Sequence, residues 1–304
     1  MSPGDLWAVS KTASPAILTL PSMTSPAAPL ATDPTNYALG RSEAEAERLQ
    51  LQHQIYGAAT RNLFVAAGIG PGMRVLDIGS GAGDVALLAA DLVGPTGEVV
   101  GVEVAPETIA IAEQRVAAAG LSNVHFVCAD LRDLVLDDPP FDAIVGRWVL
   151  MYQPDPPALL RRLATYAAPG AIVAFQESDL LGMAPAPVPT PVHDHLRQLM
   201  LPPPELGGPE QRMGPKLYTS FVAAGLPAPT VRIDTPVGGG PDWPGYGYIA
   251  ATARSLLPML TAIGAVPAGA IDVDGLEDRL RDEIVSQDAV QPLVPVYGAS
   301  TRVA

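Results

Sequence analysis

Val75-Leu76-Asp77-Ile78-Gly79-Ser80-Gly81-Ala82-Gly83-Asp84 is the stretch that decides the fold. Its apolar start, broken only by Asp77, predicts a buried strand over Arg74–Ile78. The three glycines at alternate positions predict a turn in which the backbone takes conformations that a Cβ would block. Asp84 opens a helical run to Val93, and a helix start presents unpaired N–H groups to a ligand. Strand, glycine turn and helix make the first half of a β-α-β unit.

The pattern repeats outward from there. Strands are predicted at Glu98–Glu103, Val124–Cys128, Phe141–Val145 and Ala171–Gln176. Pro106 near a first turn and Gly120 past a last one bracket a helix, and Pro157–Tyr166 forms another. Such repetition implies a parallel sheet with helices on both faces. Before the repeat, Ser42-Glu43-Ala44-Glu45 fits a capping box for a helix to about Ala67, buried through Leu49, Ile55, Tyr56, Leu63 and Phe64. After it, helices are expected at Val192–Leu201, Lys216–Gly225, 246–263 and 275–286, with strands at Thr230–Asp234 and Leu293–Val303. Residues 1–34, rich in Pro, Ala, Ser and Thr, read as a disordered tail. Residues 35–70 form a helical cap and 71–178 the core. Residues 179–304 supply the remaining sheet and two lid insertions, about 179–212 and 236–290.

The choice of ligand rests on three acidic residues. A dinucleotide fingerprint needs a further glycine where Asp84 stands, and a carboxylate there repels a pyrophosphate. Glu103 ends the second strand, where it can accept hydrogen bonds from ribose hydroxyls. Asp130 follows the third strand, placed to meet an adenine amino group. A cationic ligand carrying ribose and adenine fits better than an anionic one.

These residues resemble the class I S-adenosylmethionine-dependent methyltransferases, in the small-molecule branch that includes ubiquinone-methyltransferase-like and natural-product enzymes. The resemblance covers about residues 70–177, through Asp77-x-Gly79-x-Gly81-x-Gly83, Gly101–Pro106, Cys128–Leu131 and Phe141–Val145. It implies a Rossmann-like, doubly wound α/β fold with a mostly parallel seven-stranded sheet and helical lids. It also implies that Gly79 and Gly81 line the methionine part of the cofactor, that Glu103 holds the ribose and that Asp130 with Leu131 frames the adenine, with Asp77, Ser80, Gly83 and Val104 also among the cofactor-binding residues. The backbone at Gly146 and Arg147 then faces the amino-acid end. Tyr37, in Tyr37-Ala38-Leu39-Gly40-Arg41-Ser42, resembles a tyrosine that closes over the cofactor.

A sulfonium methyl is already activated, so catalysis is mainly alignment and water exclusion. A base is needed only if the acceptor must lose a proton. The candidates are Glu177, at the end of the fifth strand, and His193 or His195 in the first insertion; the alternatives are a solvated strand end and loop positions. His53 and His125 read as structural, and Cys128 as a small buried side chain. No metal is expected. His193 and His195 on a helix point to nearly opposite sides, and Gly146-Arg147-Trp148 lacks the acidic cluster of metal-dependent catechol methyltransferases.

Composition narrows the partners. With 18 basic against 32 acidic residues and a net charge of -14, neither nucleic acid nor an anionic membrane is an expected partner. No stretch reaches the roughly 18–20 apolar residues of a membrane span, and no signal peptide is evident, so the expected location is cytoplasmic. A single cysteine excludes an internal disulfide framework. Met151, Met183, Leu199, Met200, Trp243, Tyr246, Tyr248 and Met259 suggest a small, fairly apolar acceptor. Only Lys11 and Lys216 are lysines, which with abundant Ala, Gly and Pro suggests a high-GC bacterial gene. The expected activity is methyl transfer in bacterial secondary metabolism, oxygen being favoured over carbon or nitrogen, with homodimerisation through the lids. The alternatives are a cofactor-binding cyclase or isomerase on the same fold, and a nicotinamide oxidoreductase.

Overall fold

A computed structural model of the chain describes residues 43–137, 140–201, 208–267 and 269–304. The expected tail, Tyr37 and the side chains of the capping box lie outside the described residues.

Five strands run parallel: β1 (Arg74–Ile78), β2 (Glu98–Glu103), β3 (Val124–Cys128), β4 (Phe141–Arg147) and β5 (Ala167–Ser178). β6 (Thr230–Asp234) and the last strand, β9 (Val296–Arg302), complete a seven-stranded sheet in the order β3-β2-β1-β4-β5-β9-β6. β9 is antiparallel to both of its neighbours. β7 (Val237–Gly238) and β8 (Gln291–Pro292) form a separate short pair. The expected doubly wound, mostly parallel sheet is the one observed. β5 extends past its expected end because Ile172 through Ser178 pair along β9. That backbone partner lies more than a hundred residues further along the chain, so no local pattern announces it.

Residues within each strand alternate between two apolar layers, as the period of two requires. Leu76, Ile78, Ile144, Val173 and Phe175 face α4 (Pro156–Leu163) and α6 (Met213–Ala223). There Phe175 meets Phe221 edge-to-face at 6.3 Å. Val75, Val99, Ala143, Val145 and Ala174 face α1 (Glu43–Ala67), α2 (Asp84–Val93) and α3 (Pro106–Ala118). Each fully buried aliphatic side chain contributes about 1.5–3 kcal/mol, so both faces resist opening.

The remaining helices, α5 (Pro191–Met200), α7 (Gly245–Ala262) and α8 (Leu276–Val285), share a smaller apolar core of Leu196, Tyr246, Ala250, Leu280 and Ile284. α1 joins that core to the sheet. Its Tyr56 packs edge-to-face on Trp148, which follows β4, and on Tyr248 of α7. Met151 lies in the main core, while Tyr246, Met200 and Trp243 pack in the helical one. These four expected acceptor-lining residues therefore act as packing. Cys128 corrects its expectation as well: it is exposed, because β3 is an edge strand.

Candidate functional site

Strand order reverses between β1 and β4. Open α/β sheets take ligands at that switch point, beyond the carboxyl ends of the strands. The glycine turn occupies it. Gly79 has φ +63°, and a Cβ there would come within 2.5 Å of Val149 Cγ2. Gly81 has φ +52°, and nothing lies within 4 Å of where its Cβ would point. The first glycine is thus dictated by packing and the second keeps the backbone open on its outer side. Ser80 donates its N–H to the Val102 carbonyl at 3.0 Å, tying the turn to β2. Gly83 caps α2 in a left-handed conformation, without a side-chain cap. Arg115 braces the turn from α3, donating to the Ala82 carbonyl and pairing with Asp84, both at 2.6 Å. Asp84 thus keeps a carboxylate at the α2 start, as expected.

Glu103 sits at the end of β2 with its carboxylate already oriented. One oxygen accepts from the N–H groups of Val104 and Ala105, the other from Gly81 at 3.1 Å. A carboxylate offers about four lone-pair sites, so gripping both ribose hydroxyls requires one of these backbone bonds to yield. Asp130 follows β3, but Arg132 holds its side chain through the backbone N–H at 2.8 Å and the guanidinium at 2.6 Å. The Arg132 hydrogen bonds keep the Asp130 carboxyl below its usual range. Leu131 beside it packs against the main core.

Alternation turns Asp77, Arg147 and Gln176 towards α1, because Val75, Val145 and Ala174, two residues before each, face the α1 and α2 core. Asp77 is 1% exposed, and neither of its oxygens has a well-formed hydrogen bond; the Ala86 N–H gives only a weak pull. Burial pushes its carboxyl up to about 8, against the opposing pull of Arg147. Arg147 is 8% exposed and donates to the Thr60 hydroxyl at 3.1 Å. It forms no ion pair among the described residues; burial lowers its pKa, while Asp84 and Asp77 pull it up. When Asp77 ionises, its carboxylate and the Arg147 guanidinium attract one another without forming an ion pair. Thr60 also bonds the Gln176 side-chain oxygen at 2.7 Å, and His53 Nδ1 lies buried without a partner on the same helix.

Glu177 is where the sequence places it, at the end of β5, but it is neither solvated nor presented as a base. It is 0% exposed and accepts from the N–H groups of Val149, Leu150 and Met151 at 3.0, 2.7 and 3.3 Å. The carboxylate caps the 3-10 turn Leu150–Tyr152 that follows β4. Burial pushes it up to about 8, even though these three donors favour the charged form. His193 lies on α5 and is 7% exposed, whereas His195 on the same helix is exposed. Glu283 of α8 meets His193 Nδ1 at 2.6 Å and also caps the start of α5 through the N–H groups of Val192 and His193. Nε2 is buried without a partner, and burial lowers the imidazole pKa against the pull of Glu283. Among the described residues no three His, Cys, Asp or Glu side chains come together as a metal site.

Sequence reasoning missed Thr60, Trp148, Gln176 and Glu283. Only Gln176 carried a local signal, as a polar residue closing an apolar strand. Glu283 and Thr60 are reached through contacts spanning 90 and 116 residues.

Residues 69–208 match the family model described as a methyltransferase domain. An arsenite methyltransferase of Halobacterium salinarum is 36% identical over 131 residues, 43% of this chain and 33% of that protein. A demethylmenaquinone methyltransferase of Geobacillus kaustophilus is 32% identical over 36% of this chain and 46% of its own length. The chain spans about a third to a half of the curated relatives it matches. Among solved structures, a candidate methyltransferase of Bacillus halodurans C-125 superposes with a TM-score of 0.50 at 16% identity, covering 81% of this chain and 99% of that one. That likeness concerns the fold alone.

Proposed function

We propose that this chain, whose residues 69–208 match a family model described as a methyltransferase domain, transfers a methyl group from S-adenosylmethionine to a small, fairly apolar acceptor. The observation that carries this reading is the buried Asp77, without a well-formed hydrogen bond at the switch point, in the field of a buried Arg147 that forms no ion pair among the described residues. An isolated buried charge is expensive, and a zwitterion settles both at once. Asp77 takes the α-ammonium of the cofactor's amino-acid end and Arg147 its α-carboxylate. Glu103 accepts from the ribose, and the open side of Gly81 lets the chain pass close to the backbone. Asp130 reaches the adenine by exchanging its hold on Arg132.

When bound, the cofactor supplies a methyl on a positively charged sulfur. The chain aligns the acceptor with that methyl and excludes water. We take oxygen as the receiving atom, which requires a hydroxyl proton to be removed. His193 is the side chain suited to accept it, since Glu283 pins Nδ1 and leaves Nε2 as the acceptor nitrogen. The buried, capping Glu177 holds the turn after β4 instead. The segments 179–212 and 236–290 serve as lids over a core at 71–178, with a helical cap at 35–70. A cytoplasmic role in bacterial secondary metabolism, as a homodimer without nucleic-acid or membrane partners, agrees with the acidic, lysine-poor composition. No described helix is long and apolar enough to cross a membrane.

The test supplies methyl-labelled S-adenosylmethionine and the purified protein to a small-molecule extract of the source organism, with mass spectrometry of the products. A labelled product, formed in step with S-adenosylhomocysteine, is the expected result. Cofactor binding with consumption of an extract component but no label would replace transfer by the cyclase reading.

A further inference from the structure

Two hydrogen-bond donors at the ends of β4 and β5 have no role in the site described so far. Trp148 follows β4 with φ +55°, a left-handed conformation unusual for a bulky residue. Such strain persists only where the surroundings hold it, and it gathers at ligand sites. Here the Trp148 N–H donates to the Gln176 carbonyl at 2.9 Å, the Arg147 guanidinium lies 5.3 Å from the ring centre, and Tyr56 packs on it at 5.0 Å. So held, the indole Nε1–H is buried without a partner. Gln176, paired with Arg147 across the sheet, is 1% exposed. Thr60 engages its side-chain oxygen, which fixes the amide and leaves Nε2 also buried without a partner. A buried donor left unbonded costs about 1–3 kcal/mol, and here one lies on β5 and the other on the residue that follows its cross-strand partner Arg147.

Both orphans are donors and neither is charged; Tyr56 and the Arg147 guanidinium lie against the indole, and Tyr248 packs on Tyr56. We propose that Trp148 Nε1–H and Gln176 Nε2–H bind an oxygen of the methyl acceptor, so that the acceptor is an apolar molecule bearing a carbonyl or carboxylate group. The assignment rests on the methyl-transfer reading and sharpens it. The acceptor docks by that oxygen at the β4–β5 end, and the two donors select against apolar molecules that lack one.

The experiment uses the full chain saturated with S-adenosylhomocysteine, whose binding is first measured by calorimetry. Three probes of one shape are then titrated to millimolar concentration: benzoate, acetophenone and toluene. Indole N–H resonances are followed by NMR, and Trp148→Phe assigns the Trp148 signal among the three tryptophans. Benzoate and acetophenone are expected to move the Trp148 signal and toluene to leave it in place. With S-adenosylhomocysteine kept saturating for each protein, Trp148→Phe and Gln176→Met are each expected to weaken benzoate about tenfold. The resonance shift in the unmodified protein stands even if a variant folds poorly. Equal binding of toluene, or S-adenosylhomocysteine binding with no probe moving the Trp148 signal, overturns the assignment. Failure of S-adenosylhomocysteine itself to bind overturns the underlying reading instead.

Discussion

Replacing Asp77 by Asn tests the electrostatics of the site through stability alone, without any acceptor. Burial disfavours the charge of Asp77 and pushes its carboxyl up to about 8 in the fold, from a usual 3.8. Between those values the folded chain binds the proton and the unfolded chain does not, so stability falls as pH rises across the window. Integrated from pH 5 to pH 8.5, the loss from this one group is about 4 kcal/mol. The amide in Asp77→Asn has no such proton to lose, so the variant is spared that loss. Glu177, raised for the same reason, titrates in both proteins and cancels in the comparison. Urea denaturation at half-unit pH steps measures the difference. The wild-type curve should drop steeply relative to Asp77→Asn, and saturating S-adenosylhomocysteine should flatten it by pairing its ammonium with the carboxylate. Parallel pH profiles for the two proteins would show that Asp77 is already compensated in the free fold. That result would refute the zwitterion argument at its base.

Other substitutions probe separate contacts. Glu103→Ala should weaken cofactor binding by more than about 1.4 kcal/mol, a tenfold change; unchanged affinity by calorimetry would remove the ribose assignment. Gly81→Ala meets no atom within 4 Å in the free chain, so thermal unfolding should report only the 1–2 kcal/mol or so of a left-handed alanine, while S-adenosylhomocysteine affinity falls at least tenfold. Gly79→Ala, which drives a methyl into Val149, should lose clearly more stability than Gly81→Ala; equal losses would contradict the packing reason given for Gly79. Glu177→Ala leaves three N–H groups unbonded and should cost about 3 kcal/mol or more; a melting temperature within a degree of wild type would discredit the capping role.

The sequence made the sheet legible because its signals are local. Arg74–Ile78, Glu98–Glu103 and Val124–Cys128 are short, largely apolar runs between turns, and each is observed at its expected bounds. The glycine turn and Glu103 were equally readable, since spacing and strand ends fix them. What escaped depends on distant partners. Glu177 reads as a candidate base or a solvated strand end because β9, which pairs over it, lies more than a hundred residues away. Asp130 looked available because a two-residue turn with Arg132 leaves no mark in hydropathy. Cys128 was placed inside because an apolar strand reads the same whether it is central or at an edge.

The last strand has a consequence for synthesis. β9 is wedged between β5 and β6, so β6 has no other neighbour in the sheet. On a ribosome the parallel strands emerge first and wait, their antiparallel edge unpaired, while more than a hundred further residues are made. Residues 296–302 then zip two strands at once. The chain therefore completes its sheet in one late, non-local step, and until then β5 offers a bare apolar edge to any neighbouring nascent chain.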